Sequence, residues 1–308
     1  MSALDKWKSW WAAHRPSTRR LVQLYTALMY NAHLRGFAEG KIYTGPAKSV
    51  CVPGLNCYSC PGAVAACPLG ALQNAISASP RRPAFYALGL LLLFGLALGR
   101  VVCGWACPIG LLQELLYKLP VPKVKKSRFT RALSWLKYLI LAVFVAILPL
   151  WYALRDFPLP AFCKYICPAG TLQGAVGLLA HPANAELFGL LGAGFTWKFI
   201  LLVLILTASL FIYRFFCRFL CPLGAIYSLF ARAAFAGVRV DAARCTGCGA
   251  CVRCCPVDIR QVGDRECVHC TRCMSVCPEQ AISLKAGRWT LKAPPARRSA
   301  QERGGEAS

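Results

Sequence analysis

The sequence predicts an all-α bundle of about four membrane-spanning helices, followed by a small C-terminal α+β domain organised around bound metal. Three observations carry that expectation. The 308 residues are 57% hydrophobic and 16% charged, with mean hydropathy +0.48, a balance that suits lipid better than water. Three apolar runs approach the roughly 20 residues that a bilayer-crossing helix needs. Nineteen cysteines are present, most of them in short, repeated spacings.

The membrane domain is assigned to residues 20–235, after a basic cytoplasmic N-terminus at 1–19. Residues 84–102, 135–154 and 195–216 read as spans, and the more polar 20–38 is a weaker fourth that completes the topology. Asn31 and His33 interrupt this first segment, and no cleavage motif follows it, so it reads as an anchor rather than a secretory signal. Arg100, Lys137, Lys198 and Arg214 lie near span ends, where long side chains can reach the interface. Pro149 is expected to kink its helix, and the apolar stretch 184–194 suits a fifth, re-entrant element.

Charge sets the orientation. Lys6, Lys8, Arg15, Arg19 and Arg20 precede the first span, and Lys118, Lys123, Lys125, Lys126, Arg128 and Arg131 fill one loop. Residues 155–194 carry only Arg155 and Lys164 against Asp156 and Glu186. Positive charge stays inside, so the expectation is a multi-pass protein of the cell (inner) membrane with both termini cytoplasmic. The net charge of +24 sits beside apolar runs, which points to anionic lipid and excludes nucleic acid as the partner.

A motif recurs four times along this domain. Cys67-Pro68-Leu69-Gly70-Ala71-Leu72-Gln73 returns from Cys107 to Gln113, from Cys167 to Gln173, and from Cys221 to Tyr227. Three copies are preceded by a further cysteine, making the C-x3-C-P pairs Cys103/Cys107, Cys163/Cys167 and Cys217/Cys221. Proline suits the first turn of a helix, where the amide it lacks would be unpaired. A thiolate just before that turn meets free N–H groups and the positive end of the helix dipole, which stabilises an anionic metal cluster in apolar surroundings.

The C-terminal domain, residues 236–285, has the strongest signal. Cys245, Cys248, Cys251 and Cys255-Pro256 form the run C-x2-C-x2-C-x3-C-P, and Cys267, Cys270, Cys273 and Cys277-Pro278 repeat it. That run binds [4Fe–4S] clusters in bacterial ferredoxins, with the fourth cysteine reaching the other cluster. The expected sets are therefore Cys245, Cys248, Cys251 and Cys277 for one cluster, and Cys267, Cys270, Cys273 and Cys255 for the second. Zinc needs four ligands, usually in two separated pairs, and does not explain eight in this duplicated spacing. Cys254 and His269 read as bystanders. The tail from 286 to 308, rich in Ala, Arg, Pro and Glu, reads as disordered.

One or two further iron–sulfur clusters are expected in the membrane domain. If the spans alternate, Cys103, Cys107, Cys217 and Cys221 emerge together on the ferredoxin side and supply four thiolates. Cys163 and Cys167 emerge opposite, with Cys51, Cys57, Cys60 and Cys67. By the repeat, Cys60 and Cys67 would join Cys163 and Cys167. The alternatives are a self-contained site of Cys51, Cys57, Cys60 and Cys67, or a Cys51–Cys57 disulfide.

With its C-x3-C-P spans and terminal double ferredoxin, the chain resembles the NapH/MauN/NosR group of membrane polyferredoxins over about residues 20–280. The resemblance implies electron transfer between quinol or a cytoplasmic donor and a redox partner. In simpler members two C-x3-C-P motifs face the cytoplasm, matching Cys103/Cys107 and Cys217/Cys221. The additional Cys51–Cys67 and Cys163/Cys167 favour a route through the membrane to a membrane or extracytoplasmic acceptor. No flavin-attachment or C-x-x-C-H haem motif is present, so a flavin or haem would sit on a partner protein. The competing expectation is a redox sensor or a metalloenzyme maturation factor. No nucleophile or general-base constellation supports independent catalysis, which favours a subunit of an oxidoreductase system.

Overall fold

The computed structural model describes residues 17–78, 84–124 and 126–292. The basic residues Lys6, Lys8, Arg15 and Lys125, and the tail beyond 292, lie outside the described residues. Helix α1 covers Thr18–Tyr30, α2 Pro68–Ala78 and α3 Phe85–Ala97. Helix α4 is Val101–Trp105 and α5 is Pro108–Tyr117. Helix α6 covers Arg128–Ala153, with one turn at 134–135 that keeps right-handed helical dihedrals. Then follow α7 (Ala161–Tyr165), α8 (Gly170–Leu179), α9 (Ala193–Phe211), α10 (Phe215–Phe219) and α11 (Pro222–Leu229).

Among the described residues, two helices are long and apolar enough to cross a membrane, α6 with 26 residues and α9 with 19. The two other expected spans are shorter. Residues 20–38 stop as a helix at Tyr30, before the Asn31 interruption. Residues 84–102 break where Gly99 turns left-handed at φ 50°, leaving α3 with 13 residues, about 20 Å of helix against a hydrocarbon core of about 30 Å. Pro149 does not end α6. A run of wider, π-type turns over Leu141–Ile147 precedes it and absorbs the missing amide. The stretch 184–194 lies largely in a 3₁₀ segment, Pro182–Leu190.

The helices turn large apolar side chains outward and bury polar groups among apolar ones inside. On α1, Leu21, Leu24, Tyr25 and Leu28 are exposed while Gln23 is fully buried. Helix α6 exposes Trp135, Leu139, Ile147 and Trp151 and buries Lys137, and α9 exposes Trp197, Ile200 and Leu204 around buried Ser209. Such a surface is stable against lipid tails and costly in water.

The terminal domain has a three-stranded antiparallel sheet in the order β1 (Ala236–Val240), β2 (Ile282–Ala286), β3 (Trp289–Lys292). Residues 286–292, assigned to a disordered tail from composition, instead pair as the β2–β3 hairpin around Gly287, whose φ is +59°. The domain sits on the ends of α4, α6 and α10 through buried ion pairs. Glu266 meets Lys137 at 2.6 Å and Arg100 at 3.3 Å, and Asp258 meets Arg218 at 2.5 Å. Tyr117 and Tyr213 pack with Val257, Ile259 and Val268 between them. Gly104 is a close-approach position, since a Cβ there would stand 2.3 Å from the Val268 carbonyl oxygen.

Candidate metal centres

Each C-x3-C-P pair is built as a short helix, a break, and a second helix beginning at or near proline. The first cysteine lies in the short helix (α4, α7 or α10), and the second is the extended residue before the next turn. Cys221 accepts the Gly224 amide at 3.3 Å, the bond expected of an anionic group at a helix start. Gly70, Gly110 and Gly170 hold the same position three residues after Cys67, Cys107 and Cys167. In the second copy the motif glycine also eases the fold-back of the short helix, since a Cβ at Gly110 would meet the Cys103 carbonyl at 3.1 Å, whereas at Gly224 and Gly170 the corresponding 3.4 and 3.7 Å are ordinary contacts.

The last residue of the motif joins one copy to another. Gln113 accepts the Phe216 amide at 2.9 Å and holds its own side-chain amide 3.2 Å from the Cys217 sulfur. Gln73 does the same for Phe162 at 3.0 Å and Cys163 at 3.4 Å. Gln173 accepts the Cys57 amide at 2.9 Å. The second copy thus pairs with the fourth, and the first with the third.

Two cysteine sets result. Cys67, Cys107, Cys167, Cys217 and Cys221 share one buried core with Cys57, Cys103 and Cys163 packed against it, and the Gln113 contact to Cys217 ties Cys103 and Cys107 to Cys217 and Cys221. Arg214 reaches this set, donating to the Cys103 carbonyl and pairing with Glu114, which Arg19 also engages at 2.7 Å. Burial pushes the Glu114 carboxyl upward, but Arg214 and Arg19 prevail and hold it at about 2. The other set lines a cavity of about 560 Å³ whose wall contains Cys51, Cys57, Cys67, Cys163 and Cys167. Lys198 donates to the Cys163 carbonyl at 3.3 Å, and buried Lys48 to the Ala63 carbonyl at 2.7 Å, so two cations border that cavity.

Cys57 lines this cavity with Cys67, whereas Cys60, the partner expected from the repeat, is buried and outside its wall. The Gln173 side chain accepts the Cys57 amide and fixes that stretch of backbone at the cavity. Cys51 and Cys57 are both free thiols, and Cys51 instead bridges to Ala66 through the backbone.

In the terminal domain Cys255, Cys267, Cys270 and Cys273 line one small enclosed space. Cys245 and Cys251 share a groove, Cys277 packs with Cys251 on Val238 and Met274, and Cys248 is exposed. Cys254 turns its thiol to the Cys251 carbonyl. His269 is buried, contrary to its reading as a surface residue, and accepts the Val238 amide at 2.9 Å. Burial, with Arg100 and Arg239 adding to it, lowers its pKa to about 4, so it is neutral and able to accept.

The sets are linked in series. Trp105, between Cys103 and Cys107, donates to the carbonyl of His269, between Cys267 and Cys270, at 3.0 Å. Gly54 lies against Cys107, a Cβ there standing 3.5 Å from the Cys107 Cα, and the next residues, Leu55 and Asn56, line the cavity with Cys67.

Among the described residues, no three His, Cys, Asp or Glu side chains converge closely enough to hold a single metal ion. A cubane places each thiolate on a different iron, so its four ligands stand further apart than those of one zinc. Thiolate-only donor sets, capped by helix-start amides and bordered by Arg214, Lys48 and Lys198, fit an anionic iron–sulfur group.

These features define a helical protein that carries iron–sulfur centres and a ferredoxin-like region. A family described as 4Fe-4S binding domain matches residues 83–127, 136–183 and 193–239, each match containing one C-x3-C-P pair. The chain is 31% identical over 207 residues to an uncharacterized protein of Methanocaldococcus jannaschii, covering 64% of this chain and 76% of that one. It is 30% identical over 211 residues to the putative electron transport protein YccM of Escherichia coli, covering 64% of this chain and 55% of YccM. The match to the methylamine utilization ferredoxin-type protein MauN of Methylorubrum extorquens is 30% over 197 residues, 61% of this chain and 59% of MauN. No solved structure matches. The chain belongs to the NapH/MauN/NosR family of membrane polyferredoxins. The matched segments span between about half and three quarters of the length of these relatives.

Proposed function

We propose that the chain is a multi-pass relay, with both termini cytoplasmic, that moves electrons between a cytoplasmic or quinol donor and a membrane or extracytoplasmic redox partner. The observation that carries this reading is the Gly54–Asn56 segment: a Cβ at Gly54 would stand 3.5 Å from the Cys107 Cα, and Leu55 and Asn56 line the cavity together with Cys67. One short stretch of backbone therefore borders both membrane-domain cysteine sets. Clusters held by the four sets would supply one-electron carriers: Cys245, Cys248, Cys251 and Cys277; Cys255, Cys267, Cys270 and Cys273; Cys103, Cys107, Cys217 and Cys221; and Cys57, Cys67, Cys163 and Cys167.

The protein's own groups hold these sets in order. Glu266, Lys137 and Arg100 fasten the terminal domain over the Cys103–Cys107 break, and Trp105 joins the two ligand loops. Gln73, Gln113 and Gln173 fix each cysteine arm against its partner. A series of sites divides a hydrocarbon thickness of about 30 Å. A sensor or maturation factor needs no such continuity.

Iron quantitation with EPR on the wild type and on Cys163→Ser/Cys167→Ser tests the reading. Loss of one cluster signal while the ferredoxin signals persist is expected. Iron sufficient for the ferredoxin pair alone in the wild type would end the relay reading.

A further inference from the structure

The two cysteine sets of the terminal domain have opposite surroundings. Cys267 is buried beside Tyr213 and Val257 at the junction with the helices, whereas Cys245 and Cys248 are exposed. The charges are sorted the same way. Asp258 and Glu266 turn inward to Arg218, Arg100 and Lys137, Asp264 caps the Arg260 and Arg265 amides at 3.1 and 2.6 Å, and Asp241 and Glu279 are left as exposed carboxylates. Arg232, Arg239, Arg244, Arg253, Arg260 and Arg272 are all exposed. Among the described residues none of them forms an ion pair.

Several of these arginines surround the exposed cysteines. Arg232, Arg239 and Arg260 line a groove of about 620 Å³ together with Cys245 and Cys251. The Arg253 guanidinium packs over Gly249, next to Cys248, at 3.2 Å from where a Cβ would be. Uncompensated arginines around exposed ligand cysteines make a positive ring at the edge where electrons can enter. The junction side already has its carboxylates and is closed.

We propose that this arginine-ringed face is the docking surface for a soluble, acidic one-electron carrier protein, which delivers electrons at the Cys245/Cys248 edge. The inference rests on the electron-transfer reading above and names the donor class. In each encounter one electron leaves the reduced carrier and one enters this domain, with no bond made or broken. Opposed charge raises the encounter rate and leaves the complex free to separate afterwards.

The test uses full-length protein in lipid nanodiscs and stopped-flow bleaching of the iron–sulfur absorption. The probes are flavodoxin hydroquinone, an acidic carrier, and reduced methyl viologen, a small cation. With flavodoxin, the second-order rate is expected to fall at least about tenfold between about 0.01 M and about 1 M salt. Arg239→Glu/Arg260→Glu should lower it at least about tenfold at low salt, and Arg239→Gln/Arg260→Gln by an intermediate factor. Viologen should reduce all three proteins to the same extent, which establishes that the clusters are intact. Lys41→Glu, a single charge reversal at an exposed position on the loop before Cys51, should change the flavodoxin rate by less than about twofold.

A flavodoxin rate indifferent to salt and to both arginine variants overturns the proposal. So does an unchanged flavodoxin rate combined with lost binding to anionic vesicles, which would give this face to the membrane. If viologen reduces the ferredoxin clusters but no membrane-domain cluster, the relay fails while the docking result stands.

Discussion

The Tyr227 hydroxyl donates to the Pro53 carbonyl at 2.8 Å, so the fourth copy of the cysteine–proline motif grips the loop that serves the other cysteine set. The other three copies carry glutamine at that position and use it to hold a cysteine arm. Tyr227 is fully buried, and Pro53 lies two residues before Leu55. The bond therefore anchors the peptide that stands between Cys107 and Cys67.

Tyr227→Phe removes that one hydroxyl and leaves a carbonyl unpaired. A loss of about 1–3 kcal/mol is expected in thermal or denaturant unfolding. The magnetic interaction between the two membrane-domain clusters, read by pulsed EPR relaxation, should weaken as the loop loosens. Unchanged relaxation in a destabilised variant would show that the bond serves stability alone.

Gln113→Leu and Gln73→Leu each delete an acceptor for a buried amide and a donor to a sulfur. The cost expected for each is about 1–3 kcal/mol. The lesions should be local: Gln113→Leu should deplete the signal of the Cys103/Cys107/Cys217/Cys221 set, and Gln73→Leu that of the Cys163/Cys167 set. Equal depletion of both signals by either variant would contradict the pairing of copies.

Cys57→Ser and Cys60→Ser separate the two ligand assignments at the second membrane set. Cys57→Ser should abolish one cluster signal and its iron. Cys60→Ser should leave both in place, because Cys60 lies outside the cavity. The reverse result would restore the pairing expected from the repeat.

Docking of the terminal domain should depend on pH through Glu266. Burial raises its carboxyl, but Arg100 and Lys137 more than offset this and hold it below the ordinary carboxylate range. A depressed carboxylate contributes its stabilisation above the unfolded value of about 4.3, and loses it as pH falls through the folded one. Limited proteolysis of the 229–236 connection should accordingly accelerate below about pH 4. Glu266→Gln should bring that acceleration to neutral pH, because Arg100 and Lys137 then remain buried without a counter-charge, at a cost of about 3–5 kcal/mol. A proteolysis rate flat across this range in the wild type would show that apolar packing around Tyr213 suffices.

Much of the candidate chemistry is legible in the sequence. The eight-cysteine spacing predicts the set of Cys255 with Cys267, Cys270 and Cys273, because cluster binding imposes a local backbone path and the same path needs the same spacing each time. Cys107 and Cys221 before proline predict a thiol at a helix start, since proline tolerates that position and the free amides favour a thiolate there. Hydropathy predicts α6 and α9, whose lengths follow from unbroken apolar runs.

Other features were decided only when distant residues met. Cys57 reaches the cavity wall where Gln173, 116 positions away, takes its amide, and no pattern within the 51–67 loop distinguishes it from Cys60. Tyr227 looks like a lapse in a repeat until Pro53 is seen beneath it. The short α1 and α3 follow from breaks at Asn31 and Gly99 that a hydropathy average passes over. By itself the sequence determined which residues can bind metal, because ligand type and spacing are local properties. The tertiary structure decided which of them face one another and in what order the sets are joined, because those contacts depend on how the whole chain packs.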